Sequence, residues 1–585
     1  MDQIAEAANQ SGNDGGKWLR RGFFVAIVLG CAVAISPNPA DPDLWGHVRY
    51  GRDLLATGEV PETTTYSFTA EGYRWINHEN LAEILLAVGA DSIGPVGLLI
   101  AKCLLGVLVI LLIAWFAARQ GVGLVTICVV ALLVATNLAY HWSVRPHILS
   151  YVYFTLMIAL VTWTFRGWQD QWHLRRRNDD DRPLDYSLAR LRFLWLAPVL
   201  FLFWTNSHGG FVAGFCIFAA YLGCRSLEAV IRLGRDGWPI ALRLVLMIVA
   251  AGLATLINPY GPQLHAWLIE SLGIPRPEIT EWHPPELFTI EALELWLVLG
   301  LFAAAMLFSR KSRDFTHLVL LSITLWQSLE HLRHLPFFVI LFGFWMPVHI
   351  ESFLRRLNVS SDPSEKFGAG MSPIARRILT GGLGLAMALL VYRLHSRLGD
   401  LRVERSDYPV SAFQFIADHD LNGRMVVTYN WAQYAIATFA PKQADDHGIL
   451  VGFDGRFRTC YPQPIIDMNF DFVIGDRELD ERYRGADSPP FDSARVLRFK
   501  NPNLVLISRH QRPSVEVMKE QGDEWILLYQ DSLAQLWGLR SKYDNPSSSD
   551  FIQPTDRRVS DAPQIGAVSW PASPVPSGKA QFAVN

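Results

Sequence analysis

Two acids two residues apart, Asp41 and Asp43 in NPADPDLWGH, open the stretch of this sequence richest in chemistry. Proline after Asp41 disfavours the helical region for that residue and favours an extended backbone. In an extended chain residues i and i+2 point the same way, so both carboxylates are expected on one side, with Cα atoms about 6–7 Å apart. Such a pair can share a divalent cation, Mg or Mn, through oxygen ligands. Alternatively, one acid can act as general base while the other orients a partner. A third reading is an Asp-Pro turn in which Asp43 caps a helix through LWGHVRYGRDLLATG. A cap needs one aspartate, however, and leaves His78 and Glu79 later in the stretch unexplained. His47 follows Asp43 by four residues, one helical turn, and is expected to face the same spot.

Further polar motifs recur along the chain: SVRPH with Arg145 and His147, NSHGG with Asn206 and His208, NPYG at 258–261, EITEW with Glu281, and LEHLRH with His331, Arg333 and His334. Arginine suits bidentate phosphate binding, and Arg145 with His147 and Arg333 with its flanking histidines are candidate phosphate ligands. Glu281 is a candidate second acid. Each motif also has a plainer reading. Arg145-Pro146 can anchor a helix start, LEHLRH can form an internal ion-pair network with Glu330, NSHGG can be a tight turn, and NPYG can end a helix. Lys102 lies inside an apolar run, where a charge is expected to face the bundle interior and pair with an acid such as Glu83 or with a lipid phosphate. Asp454-Gly455-Arg456 reads as a turn with surface charges.

The elements that must position these residues are apolar helices. Half of the 585 residues are apolar, 18% are charged, and the net charge of −3 argues against a nucleic-acid partner. The six cysteines show no disulfide or zinc spacing. Apolar runs at 21–36, 94–118, 121–139, 146–165, 193–206, 209–226, 239–257, 293–309, 315–330, 334–350 and 378–394 predict a polytopic α-helical membrane protein of about 11 transmembrane helices. Lys17, Arg20 and Arg21 precede the first run, which reads as a retained signal anchor. Basic residues sort onto alternate connectors: Arg119; Arg166 and Arg175–Arg177; Arg225, Arg232 and Arg235; Arg310, Lys311 and Arg313; Arg355, Arg356, Arg376 and Arg377. This bias puts the amino terminus in the cytoplasm and the six chemistry-bearing loops outside. The expected divisions are a cytoplasmic tail (1–20, polar and unstructured at its start), a transmembrane domain (21–398) whose first outer loop (37–93) carries interfacial helices with Trp45 and Tyr50 at headgroup level, a small extracytoplasmic α/β domain (399–544) with strands at MVVTY (425–429) and LVLIS (504–508) and a hairpin of WILLYQ (525–530) with LAQLWGLR (533–540) around Asp531-Ser532, and a disordered tail (545–585).

This layout, with the acidic motif Asp41-Pro42-Asp43 opening a large first outer loop, resembles the GT-C superfamily of membrane glycosyltransferases. It looks like a group of bacterial multi-span proteins related to that superfamily, similar to transferases that use a dolichyl- or polyprenyl-phosphate sugar. The resemblance implies a GT-C-like fold and an integral enzyme of the cell (inner) membrane. The donor would be a polyprenyl-linked sugar, and the acceptor an extracytoplasmic glycan, lipid or protein. It maps the first-loop acid, as base or metal ligand, to Asp41 or Asp43. In such a reaction His47, His78, Glu79, Arg145, His147, Asn206, His208, Glu281, His331, Arg333 and His334 are the candidate substrate and phosphate ligands. Two rival classes stand beside it: a non-catalytic scaffold or lipid or glycan transporter of the same fold, and a hydrolase of lipid phosphates. Polar groups gathered on one face disfavour transport, which places them near the midplane.

Overall fold

A computed structural model describes residues 2–168, 188–290, 292–358, 371–442, 447–478 and 481–575, with 2–17 as backbone only. Arg175–Arg177 and the last ten residues of the tail lie outside the described residues. The chain divides into two units: 1–38, 96–258 and 281–399 form the first; 39–95, 259–280 and 400–585 form the second.

The first unit is helical. Each of the eleven apolar intervals carries a helix, from Asp2–Ala34 and Gly94–Arg119 through Leu335–Trp345 to Pro373–Leu398. The first helix begins at Asp2, so the expected unstructured start is helical backbone instead. Among the described residues, four helical stretches are long and apolar enough to cross a membrane: Gly94–Arg119, His147–Thr164, Phe211–Ala254 and Pro373–Leu398. A fifth is obtained if Leu332–Trp345 and Pro347–Arg356, bent by 61° at their junction, form one span. The bend falls at Pro347, whose missing N–H and ring break the helical ladder. Leu124–Ala139, Leu191–Thr205 and Leu293–Phe308 are apolar but shorter. Arg225 is fully buried between Glu228 (2.6 Å) and Asp314 (2.8 Å). Asp314 also caps Phe315–Glu330 by accepting the His317 N–H. Lys102 is buried as expected, but its ammonium donates to the Pro37 carbonyl rather than pairing with Glu83.

The second unit is built on a six-stranded mixed sheet. Its strands are β2 (Gly423–Val427), β3 (Ile449–Val451), β4 (Leu504–Ser508), β5 (Trp525–Gln530), β6 (Ala534–Leu539) and β7 (Arg558–Val559), in the order β3-β2-β4-β6-β5-β7. β1 (Arg402–Glu404) pairs with β8 (Ala567–Ser569) in a separate ribbon. Central β4 is buried at every position, which its Leu-Val-Leu-Ile run predicts. β5 and β6 form the expected hairpin around Asp531-Ser532. The expected disorder of 545–585 does not hold for β7 and β8. Strand pairing there rests on backbone hydrogen bonds, which a Pro- and Ser-rich composition does not announce.

The segment 39–95 packs into this unit. Phe68 N–H donates to the Val451 carbonyl (3.1 Å) and Val451 N–H to the Tyr66 carbonyl (3.0 Å), so the first loop continues the sheet beyond β3. Helices Leu44–Thr57 and Asn80–Ser92 cross at Gly51, where a Cβ would lie 2.1 Å from the Glu83 carbonyl oxygen. Trp45 and Tyr50 are 1% and 2% exposed, not headgroup-level aromatics. The Trp45 indole donates to the Pro571 carbonyl (2.8 Å) and stacks on Tyr434 (4.7 Å). Tyr50, Tyr66 and Trp75 surround the buried Arg456 guanidinium at 5.1, 5.3 and 4.6 Å. Arg456 also grips Asp454 at 2.8 and 2.7 Å, so the expected surface turn is a core ion pair.

Candidate functional site

The first-loop acids are held by a turn. Asp41 accepts the Asp43 N–H on its carboxylate (3.0 Å), and its carbonyl accepts the Leu44 N–H (3.1 Å). Asp43 has helical dihedrals (φ −84°, ψ −14°). The proline bias acts on Asp41 alone, and a side-chain-to-backbone turn sets the next two residues. The expected extended pair with parallel carboxylates is therefore not formed. Asp43 begins Leu44–Thr57 without a side-chain cap hydrogen bond, so the capping role is not filled either.

The half-buried Asp43 carboxylate instead receives Gln433 Nε2 at 3.1 Å. Gln433, 2% exposed, is wedged between two glycines. A Cβ on Gly46 would lie 1.4 Å from Gln433 Oε1, and one on Gly455 would lie 2.3 Å from Asp43 Oδ1. Gln433 Oε1 has no hydrogen-bond partner among the described residues. Turning the amide over would set oxygen against carboxylate, which fixes Nε2 toward Asp43.

One turn on, His47 Nδ1 lies 3.4 Å from Glu83 Oε1 and 3.8 Å from Glu79 Oε2. Glu83 also accepts Asn77 Nδ2 at 2.6 Å. Burial opposes the imidazolium, but the Glu83 hydrogen bond and the charges of Glu79, Glu83 and Asp43 outweigh it, so the His47 pKa is raised. The ligand atoms of His47, Glu79 and Glu83 lie within 4.8 Å of one another, the one such His/acid group among the described residues. This trio stands beside Asp41 and Asp43 as a candidate set of metal ligands. His78 packs its ring on Trp267 (5.5 Å between ring centres).

The first unit holds a basic cluster. Arg145 Nη1 lies 3.4 Å from Glu281 Oε1. Arg333 sits over the Trp282 ring at 4.5 Å, and Trp282 is held in turn by His331, whose Nδ1 lies 2.7 Å from its carbonyl. Burial raises the Glu281 pKa, but Arg145, Arg333, His147 and His141 together bring it below the usual carboxylate range. His141 is pushed down to about 3 by burial, His147 and Arg333, against the pull of Glu281. His147 Nε2–H donates to the His141 carbonyl at 2.7 Å. His208 Nδ1 accepts the Gly210 N–H (3.0 Å) and lies 2.8 Å from Ser150 Oγ, which itself accepts the Trp204 indole N–H (2.7 Å). These bonds make His208 the Nε2–H tautomer. Its ring lies 6.4 Å from that of His147.

Arg145, His147 and Arg333 thus act on one carboxylate, Glu281, with Arg145 in contact with it, and His331 and His334 pack on the neighbouring Trp282 while His208 lies beside His147. Asn206 does not join them, because its amide donates to the Leu202 and Ile257 carbonyls at 2.8 and 2.9 Å and ties two helix ends. Sequence reasoning missed Glu83 as a site residue, and also Trp282, Ser150 and Gln433. The first two carried a signal: Glu83 is four residues from Glu79, and Trp282 adjoins Glu281. Gln433, 390 residues from Asp43, carried none.

No protein-family model and no curated protein matches this sequence. Solved structures do. The oligosaccharyltransferase of Archaeoglobus fulgidus tethered with an acceptor peptide containing the NVT sequon matches at TM-score 0.51 and 11% identity, over 84% of this chain and 70% of that one. AglB from Archaeoglobus fulgidus, in complex with an inhibitory peptide and a dolichol-phosphate, matches at TM-score 0.52 and 10% identity over the same shares. ArnT from Cupriavidus metallidurans bound to undecaprenyl phosphate has 14% identity and TM-score 0.48, over 88% of this chain and 97% of that one. At such identities a likeness speaks for fold alone, and the first two structures carry it. With its apolar helices, acid-bearing first loop and carboxy-terminal α/β sheet, the chain shares the fold of these oligosaccharyltransferase structures.

Proposed function

We propose that this protein is an integral membrane glycosyltransferase that moves a sugar from a polyprenyl-phosphate or pyrophosphate carrier to an extracytoplasmic acceptor. The observation that carries the reading is the basic cluster about one carboxylate: Arg145 Nη1 lies 3.4 Å from Glu281 Oε1, and the charges of Arg333 and His147 act on the same acid. In the resting protein Glu281 occupies the place of an anion, and a lipid phosphate is the competing ligand. The reaction bonds the acceptor oxygen to the sugar's anomeric carbon, with inversion, while the bond to the carrier phosphate breaks and the acceptor hydroxyl proton passes to a base. In the second unit Asp43, oriented by Gln433, has the chemistry of that base. In the first unit Arg145 and Arg333 have the chemistry to bind a phosphate on which negative charge grows. His47, Glu79 and Glu83 are the residues that would hold a divalent cation. One imidazole with two carboxylates suits Mn or Zn better than Mg, which favours oxygen ligands and water. Such an ion would supply positive charge near the acid-bearing turn. In this reading the eleven helical intervals are the spans, the amino terminus is cytoplasmic and the α/β unit is extracytoplasmic.

The test is incubation of the purified protein in nanodiscs with candidate polyprenyl-phospho-sugars, reading carrier consumption by mass spectrometry. Consumption by the wild type that falls in Asp43→Asn supports the transferase. Carrier that binds but is never consumed favours a scaffold, a reading supported by both first-loop carboxylates being engaged in internal hydrogen bonds. Release of free sugar without acceptor product would identify a hydrolase.

A further inference from the structure

A cavity of about 290 Å³ opens in the first unit, lined by the connector 120–122, by Arg310 and Lys311, and by Glu351, Ser352, Arg355 and Arg356 of helix Pro347–Arg356. It adjoins the beginning of helix Leu124–Ala139. Arg145 and His147 follow the end of that helix, about 24 Å away by helical rise. The cavity is therefore separate from the basic cluster assigned above to the carrier phosphate.

Four cationic side chains line it against one carboxylate. That carboxylate is already used twice: Glu351 accepts Arg355 Nε at 2.7 Å and the Thr126 hydroxyl. Among the described residues no carboxylate pairs with Arg310, Lys311 or Arg356. The walls are built rather than loose. Ser352 Oγ accepts the Arg310 N–H (3.0 Å), and Ser309 Oγ accepts the Lys311 N–H (3.1 Å) and lies 3.2 Å from His349 Nδ1. A general excess of basic residues at one end of a helix bundle explains exposed arginines such as Arg232 and Arg235. It does not explain cations converging on one concavity. The volume is about ten times a water's share of the liquid, about 30 Å³, so it suits a headgroup rather than a small ion. Like charges around a concave surface attract a counter-anion, and basic pockets between membrane helices bind anionic headgroups. We infer that this cavity binds the phosphate group of an anionic phospholipid.

The test uses the full-length protein in detergent, with native mass spectrometry after adding phosphatidylglycerol, cardiolipin or phosphatidylcholine. Wild type is expected to retain the anionic lipids about five-fold or more over phosphatidylcholine, the effect of roughly one cationic contact. The triple variant Arg310→Ala, Lys311→Ala, Arg356→Ala should fall to the phosphatidylcholine level. These side chains are solvent-exposed, and an unchanged melting temperature in phosphatidylcholine confirms that the variant folds. The double variant Arg232→Ala, Arg235→Ala should keep wild-type retention. Undiminished retention in the triple variant, or an equal loss in the double variant, overturns the site. A soluble arm measures thermal protection by inorganic phosphate and pyrophosphate. Protection there without lipid retention overturns the lipid as ligand.

Discussion

Asp43 and Gln433 form the contact on which the proposed chemistry depends. Asp43→Asn should lower turnover by about 10²–10⁴-fold, the usual worth of a positioned general base, while leaving carrier binding unchanged. Gln433→Ala should lower turnover less, and Gln433→Glu more, because a second carboxylate beside Asp43 disfavours its ionised form and moves the pH profile upward. A Gln433→Glu profile that overlays the wild type would remove Gln433 from this role. The histidines titrate in opposite directions. His47 has a raised pKa, so its ion pair is complete below about 6.5 and is lost as pH rises through its folded value. His141, held down to about 3, stays neutral in the folded protein. It costs stability as pH falls from 6.5 toward that value, because the unfolded chain takes up the proton first. In the metal-free protein, nitrogen-15 histidine spectra should therefore show His47 largely protonated at pH 6.5 and His141 neutral down to about 4. Simultaneous titration of both near 6.5 would refute this electrostatic picture.

At the level of elements, three glycines mark where backbones must meet. Gly51 lets Leu44–Thr57 and Asn80–Ser92 cross, Gly455 leaves room for Asp43, and at Gly210 a Cβ would lie 2.5 Å from Ser150 Oγ. Gly51→Ala sets a methyl 2.1 Å from a backbone oxygen, which cannot swing aside as a side chain can. It should destabilise the second unit by about 1–3 kcal/mol, as overpacking does, and lower the melting temperature of the whole protein. Gly58→Ala, at the end of the same helix with open space around it but φ 73°, shows the strain of a positive φ without this clash. Arg456 matters for a different reason. It is buried with Asp454 inside three aromatic rings, and Arg456→Ala would leave Asp454 charged and unpaired. The expected cost is about 3–5 kcal/mol, with little rescue by lysine, which lacks the planar fork. A melting temperature within two degrees of wild type, as surface substitutions give, would show the pair to be peripheral.

For the whole molecule, the proposed transferase makes carrier binding and cation binding the properties to measure. Arg145→Ala or Arg333→Ala should weaken binding of undecaprenyl phosphate by about 10–100-fold, since each removes charge-assisted hydrogen bonds to phosphate. Glu281→Gln should strengthen it, because the competing carboxylate charge is gone. Weaker binding in Glu281→Gln would show that the acid orients the arginines instead. Manganese titration followed by electron paramagnetic resonance should detect a site that Glu83→Gln removes and Asp41→Asn keeps, with proton release from His47 on binding.

Much of this architecture was legible in the residues. Length and apolarity of the runs determined the helices, because a segment that must satisfy its backbone in lipid has little choice but a helix. Alternation and β-branched runs located β2, β4 and the β5–β6 hairpin. The conjunction of Asp41-Pro42-Asp43 with SVRPH, EITEW and LEHLRH named most of the candidate residues. What the sequence could not determine was each side chain's partner. Trp45 and Tyr50 have the periodicity of a buried face, and nothing local says whether lipid or protein covers it. Arg456 looked like a surface charge because its three aromatic neighbours, Tyr50, Tyr66 and Trp75, lie hundreds of residues away in the chain, as Gln433 does from Asp43. The tail's strands were invisible because their partners, not their own composition, make them strands. The first loop remains the centre of the acid-bearing half. Only the tertiary structure turned its paired aspartates into a turn held by Gln433, and set His47, Glu79 and Glu83 beside them as candidate metal ligands, because those distances depend on helices crossing at a glycine.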